Sequence, residues 1–132
     1  MKQLAMMILF VSASATGQIS SLPEAKSNIE YKTVSDALAG LRAKAGTEFS
    51  VQSNWTIVVE PSLRVIWSFA PEGHPTYPSV IKRSFVEREG RTFVDMGVMC
   101  NGTKSACDVL VHDFFKLNEK ISSAIKQQNQ QK

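Results

Sequence analysis

The sequence predicts an α+β domain: an antiparallel meander of four to five strands, preceded by one helix, followed by another, and covered by both on one sheet face. Three observations predict it. Apolar residues recur at helical spacing over 33–45 and again over 104–126, and between Thr47 and Cys100 the period changes to two. The runs that alternate are mostly joined by links of two to four residues, such as Ser53-Asn54 and Glu89-Gly90, and links that short force antiparallel neighbours.

The first helix is expected over 33–45. Thr33 has the character of an N-cap and Asp36 completes a T-x-x-D capping box. Val34, Ala37, Leu38, Leu41 and Ala45 then form one apolar stripe, and Gly46 follows the last turn, where glycine takes a left-handed backbone at little cost. In the strand region Phe49 and Val51 alternate with Ser50 and Gln52, and Trp55, Ile57 and Val59 alternate with Thr56, Val58 and Glu60. Glu60-Pro61-Ser62-Leu63 places proline where a tight turn needs its fixed φ. Leu63, Val65, Trp67 and Phe69 are expected to face the core, and Thr56, Arg64, Ser68, Lys82 and Ser84 to form a partly wet opposite face, with Val58, Ile66 and Phe85 fitting neither assignment cleanly. Val80–Glu89 and Arg91–Cys100 give the last two strands. In the closing helix Ala106, Leu110, Phe114, Leu117, Ile121 and Ile125 make a continuous stripe, and the glutamine-rich residues 127–132 have nothing to bury and are expected to be disordered.

At 132 residues the chain suits one domain, which these patterns assign to 32–126. Hydrophobic residues make up 43% and charged residues 20%, an ordinary globular balance. The formal charge of +3 is small and scattered, which argues against nucleic acid or an anionic membrane as a partner. Residues 1–15 have the pattern of a secretory signal peptide: Lys2, an apolar run from Leu4 to Val11, and Ala13-Ser14-Ala15 as an A-x-A cleavage site. That run is too short to remain as a membrane span, and no cysteine stands near it for lipid attachment. Residues 16–31 lack periodicity and are expected to be a flexible leader segment. Export to the periplasm or beyond also suits the two cysteines. Cys100 and Cys107 enclose a turn-rich link, and an oxidising space favours a local disulfide over a redox pair, which would more often be spaced C-x-x-C.

The longest connection, Ala70–Pro78, carries the chemistry that stands out. It holds Pro71, Pro75 and Pro78 with His74 and Tyr77 between them, and Lys82-Arg83 follows. Prolines restrict the backbone and remove amide donors, so the loop is expected to be stiff, extended and exposed. The candidate binding residues are Trp67, Phe69, His74, Tyr77, Lys82 and Arg83. Lys82 and Arg83 are adjacent in a strand and point to opposite faces, so they cannot form one clamp. The plain alternative is that the prolines only build a stable crossover and block edge pairing. His112 falls on the polar side of its helix. G-x-S-x-G, H-E-x-x-H, P-loop and dinucleotide fingerprints are absent, so no catalytic residue is assigned and no cofactor or metal is expected. Asn54-Trp55-Thr56 and Asn101-Gly102-Thr103 are glycosylation sequons only in a eukaryotic setting.

The strings K-T-V-x-x-A-L at 32–38, W-S-F-A-P-E-G-H-P-x-x-P at 67–78, the V-I-K-R that follows, and M-x-x-x-C-x-x-x-x-x-x-C-D-x-L from Met96 to Leu110 resemble a group of small exported bacterial proteins without an established activity. The resemblance covers most of the chain after the leader. It implies an exported α+β domain and adds no catalytic residues. The function expected is a binding or interaction module of the bacterial envelope that presents the Pro71–Pro78 loop to a protein, peptide or envelope partner. The alternatives are a small hydrolase or transferase using His74, and a structural or stress-related envelope protein without a ligand. His74 in a concave pocket beside Ser, Asp or Glu favours the enzyme; a free imidazole on a convex loop excludes it.

Overall fold

Thr33 opens the first element of the computed structural model, which describes residues 29–130. Its backbone is extended and its Oγ1 accepts the Asp36 amide at 3.0 Å, satisfying one of the donors that a helix start leaves free. The helix α1 then runs Val34–Ala43, a little shorter than its apolar pattern, because Lys44 turns extended and the Thr47 hydroxyl donates to the Leu41 and Lys44 carbonyls at 3.1 Å. Ala37 and Leu41 are completely buried.

Five strands follow: β1 Glu48–Gln52, β2 Trp55–Glu60, β3 Val65–Phe69, β4 Ser79–Arg88 and β5 Arg91–Cys100. They pair in sequence order, each antiparallel to the next, so the meander is as predicted. Ser53, Asn54, Glu89 and Gly90 take positive φ in the two tightest hairpins, which matches the right-handed twist of the strands they join. Between β2 and β3 the chain makes a 3-10 turn, Pro61–Leu63, and Arg64 leaves it in the left-handed region. Leu63 and Arg64 therefore belong to a turn rather than to a sheet face, and Leu63 is 55% exposed. The last element, α2, runs Lys104–Gln130. It continues through 127–130, where a disordered tail is expected from composition. Residues 1–28, with the leader and most of the flexible segment, and residues 131–132 lie outside the described residues.

The two helices do not share a face. The strand register aligns Val58, Trp67, Lys82 and Gly97, and aligns Thr56, Phe69, Val80 and Met99, on one side of the sheet. That side carries the main core, in which Ala37 and Leu41 of α1 meet Val58, Val65, Trp67, Phe69 and Val80. The other side carries Trp55, Ile57, Ser68, Ile81, Arg83 and Met96, and α2 lies over it: Phe114 meets Trp55 and Arg83, and Asn118 meets Met96. The single covered face expected from the sequence is thus corrected to a three-layer arrangement, helix on sheet on helix. The physical reason is that β2, β3 and β4 are apolar in both phases of their alternation, as strands covered on both sides are. Ser68, expected to be wet, is 2% exposed, while Thr56, Lys82 and Ser84 lie on the Trp67 side. The inward stripe of α2 also shifts, since Asn118 is 6% exposed and Leu117 40%.

Ile29 and Tyr31 pack against the main core, so the end of the segment expected to be flexible is anchored. Tyr31 crosses α1 at Gly40, where a Cβ would stand 2.4 Å from the tyrosine ring, and its own ring meets Trp67 edge-on at 5.8 Å. Between these residues Glu30 pairs with Lys82 at 2.8 Å. Trp67 donates its indole N–H to Glu60 Oε2 at 2.8 Å, and Lys44 pairs with the other carboxylate oxygen.

Glu60→Ala leaves a buried indole N–H without an acceptor, and unfolding in urea is expected to show a loss of about 2–3 kcal/mol. Lys44→Ala, at an exposed position, has much the smaller effect. Burial alone would raise the Glu30 carboxyl, but the hydrogen bond and charge of Lys82 outweigh it and hold the group below its ordinary 4.5. Because the folded value is the lower one, this pairing stabilises the fold above about pH 4.5 and is lost as pH falls through the depressed value. An acid titration of Trp67 fluorescence is expected to show that step, and Glu30→Gln to remove it.

Candidate functional site

The Ala70–Pro78 connection is not extended. His74 N–H donates to the Pro71 carbonyl at 3.1 Å and Tyr77 N–H to the His74 carbonyl at 2.9 Å, so two consecutive turns fold the loop back on the domain. Ala70 N–H to the Ser79 carbonyl and Asn101 N–H to the Pro78 carbonyl close its base, and the Tyr77–Pro78 peptide is cis. The loop can lie this close to the β5–α2 junction because residue 102 is glycine: a Cβ there would stand 2.6 Å from the Pro75 carbonyl oxygen and 2.7 Å from Thr76 Cα.

His74 is turned inward by this folding. Its Nδ1 accepts the Thr76 amide at 3.2 Å and lies 2.8 Å from Thr76 Oγ1, which in turn lies 2.8 Å from Ser79 Oγ. Thr76 and Ser79 are 2% and 1% exposed, so this hydroxyl pair is part of the interior. A backbone amide can only donate. Nδ1 is therefore unprotonated in the neutral ring, and the ring carries its proton on Nε2. The Trp55 ring meets the imidazole edge-on at 5.1 Å, and Phe114 of α2 meets Trp55 on from there at 6.1 Å.

These groups line a cleft of about 520 Å³ between the loop and the first half of α2. Trp55, Phe114, Leu110 and Val109 make most of its apolar wall, and His74 and Asp113 supply polar groups. The Cys100–Cys107 disulfide, with Cα atoms 6.0 Å apart, ties the end of β5 to the first turns of α2 and so fixes the far wall. Cys100 Sγ also lies 3.9 Å from the Thr76 carbonyl oxygen. As half of a disulfide it has no proton to donate, and the contact is one of packing. Thr103 caps α2, its Oγ1 accepting the Ala106 amide at 3.2 Å.

Among the six residues singled out from the sequence, only His74 lines this cleft. Tyr77 is 48% exposed at the outside of the loop. Trp67 and Phe69, at 0% and 4% exposure, are core residues under α1, where no partner can touch them. Lys82 lies over the Trp67 ring on that same side, 5.1 Å from its centroid. Arg83 points to the α2 side, as the alternation of a strand requires, with its guanidinium carbon 5.3 Å from the Phe114 centroid. Trp55, Thr76, Val109, Asp113 and Phe114 were not singled out. Trp55 and Phe114 read as ordinary members of a strand and of a helical stripe, and no local signal distinguishes them. His112 is exposed and lies 4.0 Å from Asp113. Among the described residues no three His, Cys, Asp or Glu side chains converge as a metal site would require.

The arrangement suits donation better than base catalysis. For Nε2 to accept a proton from a neutral starting ring, the imidazole would have to change tautomer and give up the Thr76 amide. Nitrogen NMR of the imidazole is expected to show the Nε2–H form, and Thr76→Val to weaken that preference by removing the hydroxyl partner. Reducing the disulfide reopens a short loop in the unfolded chain, and a stability loss of about 2–3 kcal/mol is expected in urea unfolding with and without reductant.

No protein-family model matches the chain, no curated protein matches its sequence and no solved structure matches its fold.

Proposed function

We propose that this chain is a small binding module of the bacterial envelope, which takes an apolar part of a protein, peptide or other envelope ligand into the cleft between the Pro71–Pro78 loop and α2. The observation that carries the reading is the inward-turned His74. An N–H donor stands in the wall of a concave cleft built largely from Trp55, Phe114, Leu110 and Val109, which is the composition of small-ligand sites: apolar walls with few polar groups. The prolines and paired turns keep one wall rigid and the disulfide keeps the other, so little order is lost on binding.

The disulfide supports work in an oxidising compartment. No helix among the described residues is long and apolar enough to cross a membrane. With the leader pattern of residues 1–15, these observations favour a periplasmic or secreted protein. Amino-terminal sequencing of the protein from an envelope fraction is expected to begin at Thr16; a chain that begins at Met1 there refutes leader removal.

A photo-crosslinker at Val109, which is 60% exposed beside the cleft, is expected to capture an envelope component. That adduct should disappear in Trp55→Ala and should not form from Val51, which is 70% exposed on β1. Equal labelling from the two positions refutes the cleft as the site. The competing reading, a hydrolase using His74, draws support from the concave setting of the imidazole, while its engaged Nδ1 weighs against it. Ester hydrolysis lost in His74→Ala with the fold retained would favour the enzyme.

A further inference from the structure

β1 is an open edge of the sheet, and all five of its residues are exposed. The hairpin that joins it to β2 decides which of its backbone groups are free. Ser53 and Asn54 both take positive φ in a two-residue turn, so the flanking pair Gln52–Trp55 exchanges its backbone hydrogen bonds. Such pairs alternate along an antiparallel ladder. Ser50 and Glu48 therefore also bond to β2, while Phe49 and Val51 turn their N–H and C=O groups away from it. The same two residues carry apolar side chains on the α1 side of the sheet, beside Val58 and Thr56. Phe49 is 41% exposed and Val51 70%. Free backbone donors and acceptors thus coincide with apolar surface at both positions.

Edge strands are usually blunted by proline, lysine, a bulge or a cover. Glu48–Gln52 contains no proline or lysine, and its register with β2 is continuous. The other edge, β5, is largely half-buried and carries Arg91 and Asp95, the second paired with Arg88. We propose that β1 is a self-association surface whose partner is β1 of a second copy, antiparallel about a two-fold axis through Ser50. In that register Phe49 faces Val51 of the second copy and Val51 faces its Phe49, so both outward pairs exchange backbone hydrogen bonds. Their side chains form one apolar patch across the axis, on the α1 side. Glu48 meets the neutral Gln52 of the second copy, so no like charges oppose each other. Shifted two-fold registers match Val51 with Thr47, or Phe49 with Ser53, and lose part of the apolar contact. This self-complementarity selects a second copy over a foreign strand. The edge shares no residue with the cleft, so the proposal does not rest on the cleft reading.

A contact of one strand pair is small, and sedimentation of the disulfide-bonded chain is expected to give a dimer with a Kd of about 10–100 µM. Val51→Lys is expected to weaken it at least about tenfold, while the melting of the dilute chain changes little because the residue is exposed. Cysteine pairing reads the register. The two copies of residue 50 face each other with Cα atoms about 4.5 Å apart, so Ser50→Cys is expected to give a covalent dimer on mild oxidation. The two copies of residue 52 lie roughly 13 Å apart, so Gln52→Cys is expected to stay unlinked. A chain that sediments as a monomer at about 1 mM overturns the proposal. So does a dimer that survives Val51→Lys, or one that links equally through the two cysteines. A photo-crosslinker at Val51 is expected to capture a second copy, a product of twice the chain's mass and distinct from the adduct sought from Val109. An adduct of any other mass assigns the edge to a foreign strand and overturns self-pairing. Either result leaves the cleft to its own test.

Discussion

Trp67 and the Glu60 carboxylate fix the centre of this molecule. A fully buried indole donates to a carboxylate that is itself almost fully buried, and the carboxylate's second oxygen takes Lys44 at the end of α1. Both members of the pair face one side of the sheet, so α1 must sit there to keep water from them. Tyr31 and the Glu30–Lys82 pair extend the same cover along β3 and β4. With that side filled, the apolar stripe of α2 has only the opposite side to bury against.

The cleft is a consequence of that division. On the α2 side, Trp55 stands at the start of β2, and Phe114 reaches it from the helix. The gap between helix and strand is closed at one end by the folded proline loop, which docks where Gly102 leaves room. The disulfide holds the helix start to β5, so the gap keeps its shape. His74 lines this region against Trp55, and Arg83 packs against Phe114 without lining the cleft. The rigidity of the loop is thus used to build a wall, and a histidine that a convex loop would have displayed to solvent becomes part of a concave site.

The polar groups of the interior divide into two kinds. Thr76 and Ser79 satisfy each other and His74, and they lock the loop. Arg83 Nε and Asn118 Oδ1 lie in the layer beneath α2 without partners. Interiors rarely leave such groups unmatched.

The local structure was legible in the order of the residues. Thr33 and Asp36 define the start of α1, the glycine and asparagine turns set the hairpins, the cysteine spacing implies the bridge, and short links impose the antiparallel order. Each depends on residues a few positions apart, where propensity and hydrogen bonding act directly. The face that each helix covers was settled by packing, because strands that are apolar in both phases carry no record of which side meets which helix. Packing also decided that Trp67 and Phe69 are core, that Asn118 replaces Leu117 in the inward stripe, and that His74 turns in. The cleft joins Trp55, His74 and Phe114, residues far apart in the chain that only packing brings together. No local pattern encodes that meeting.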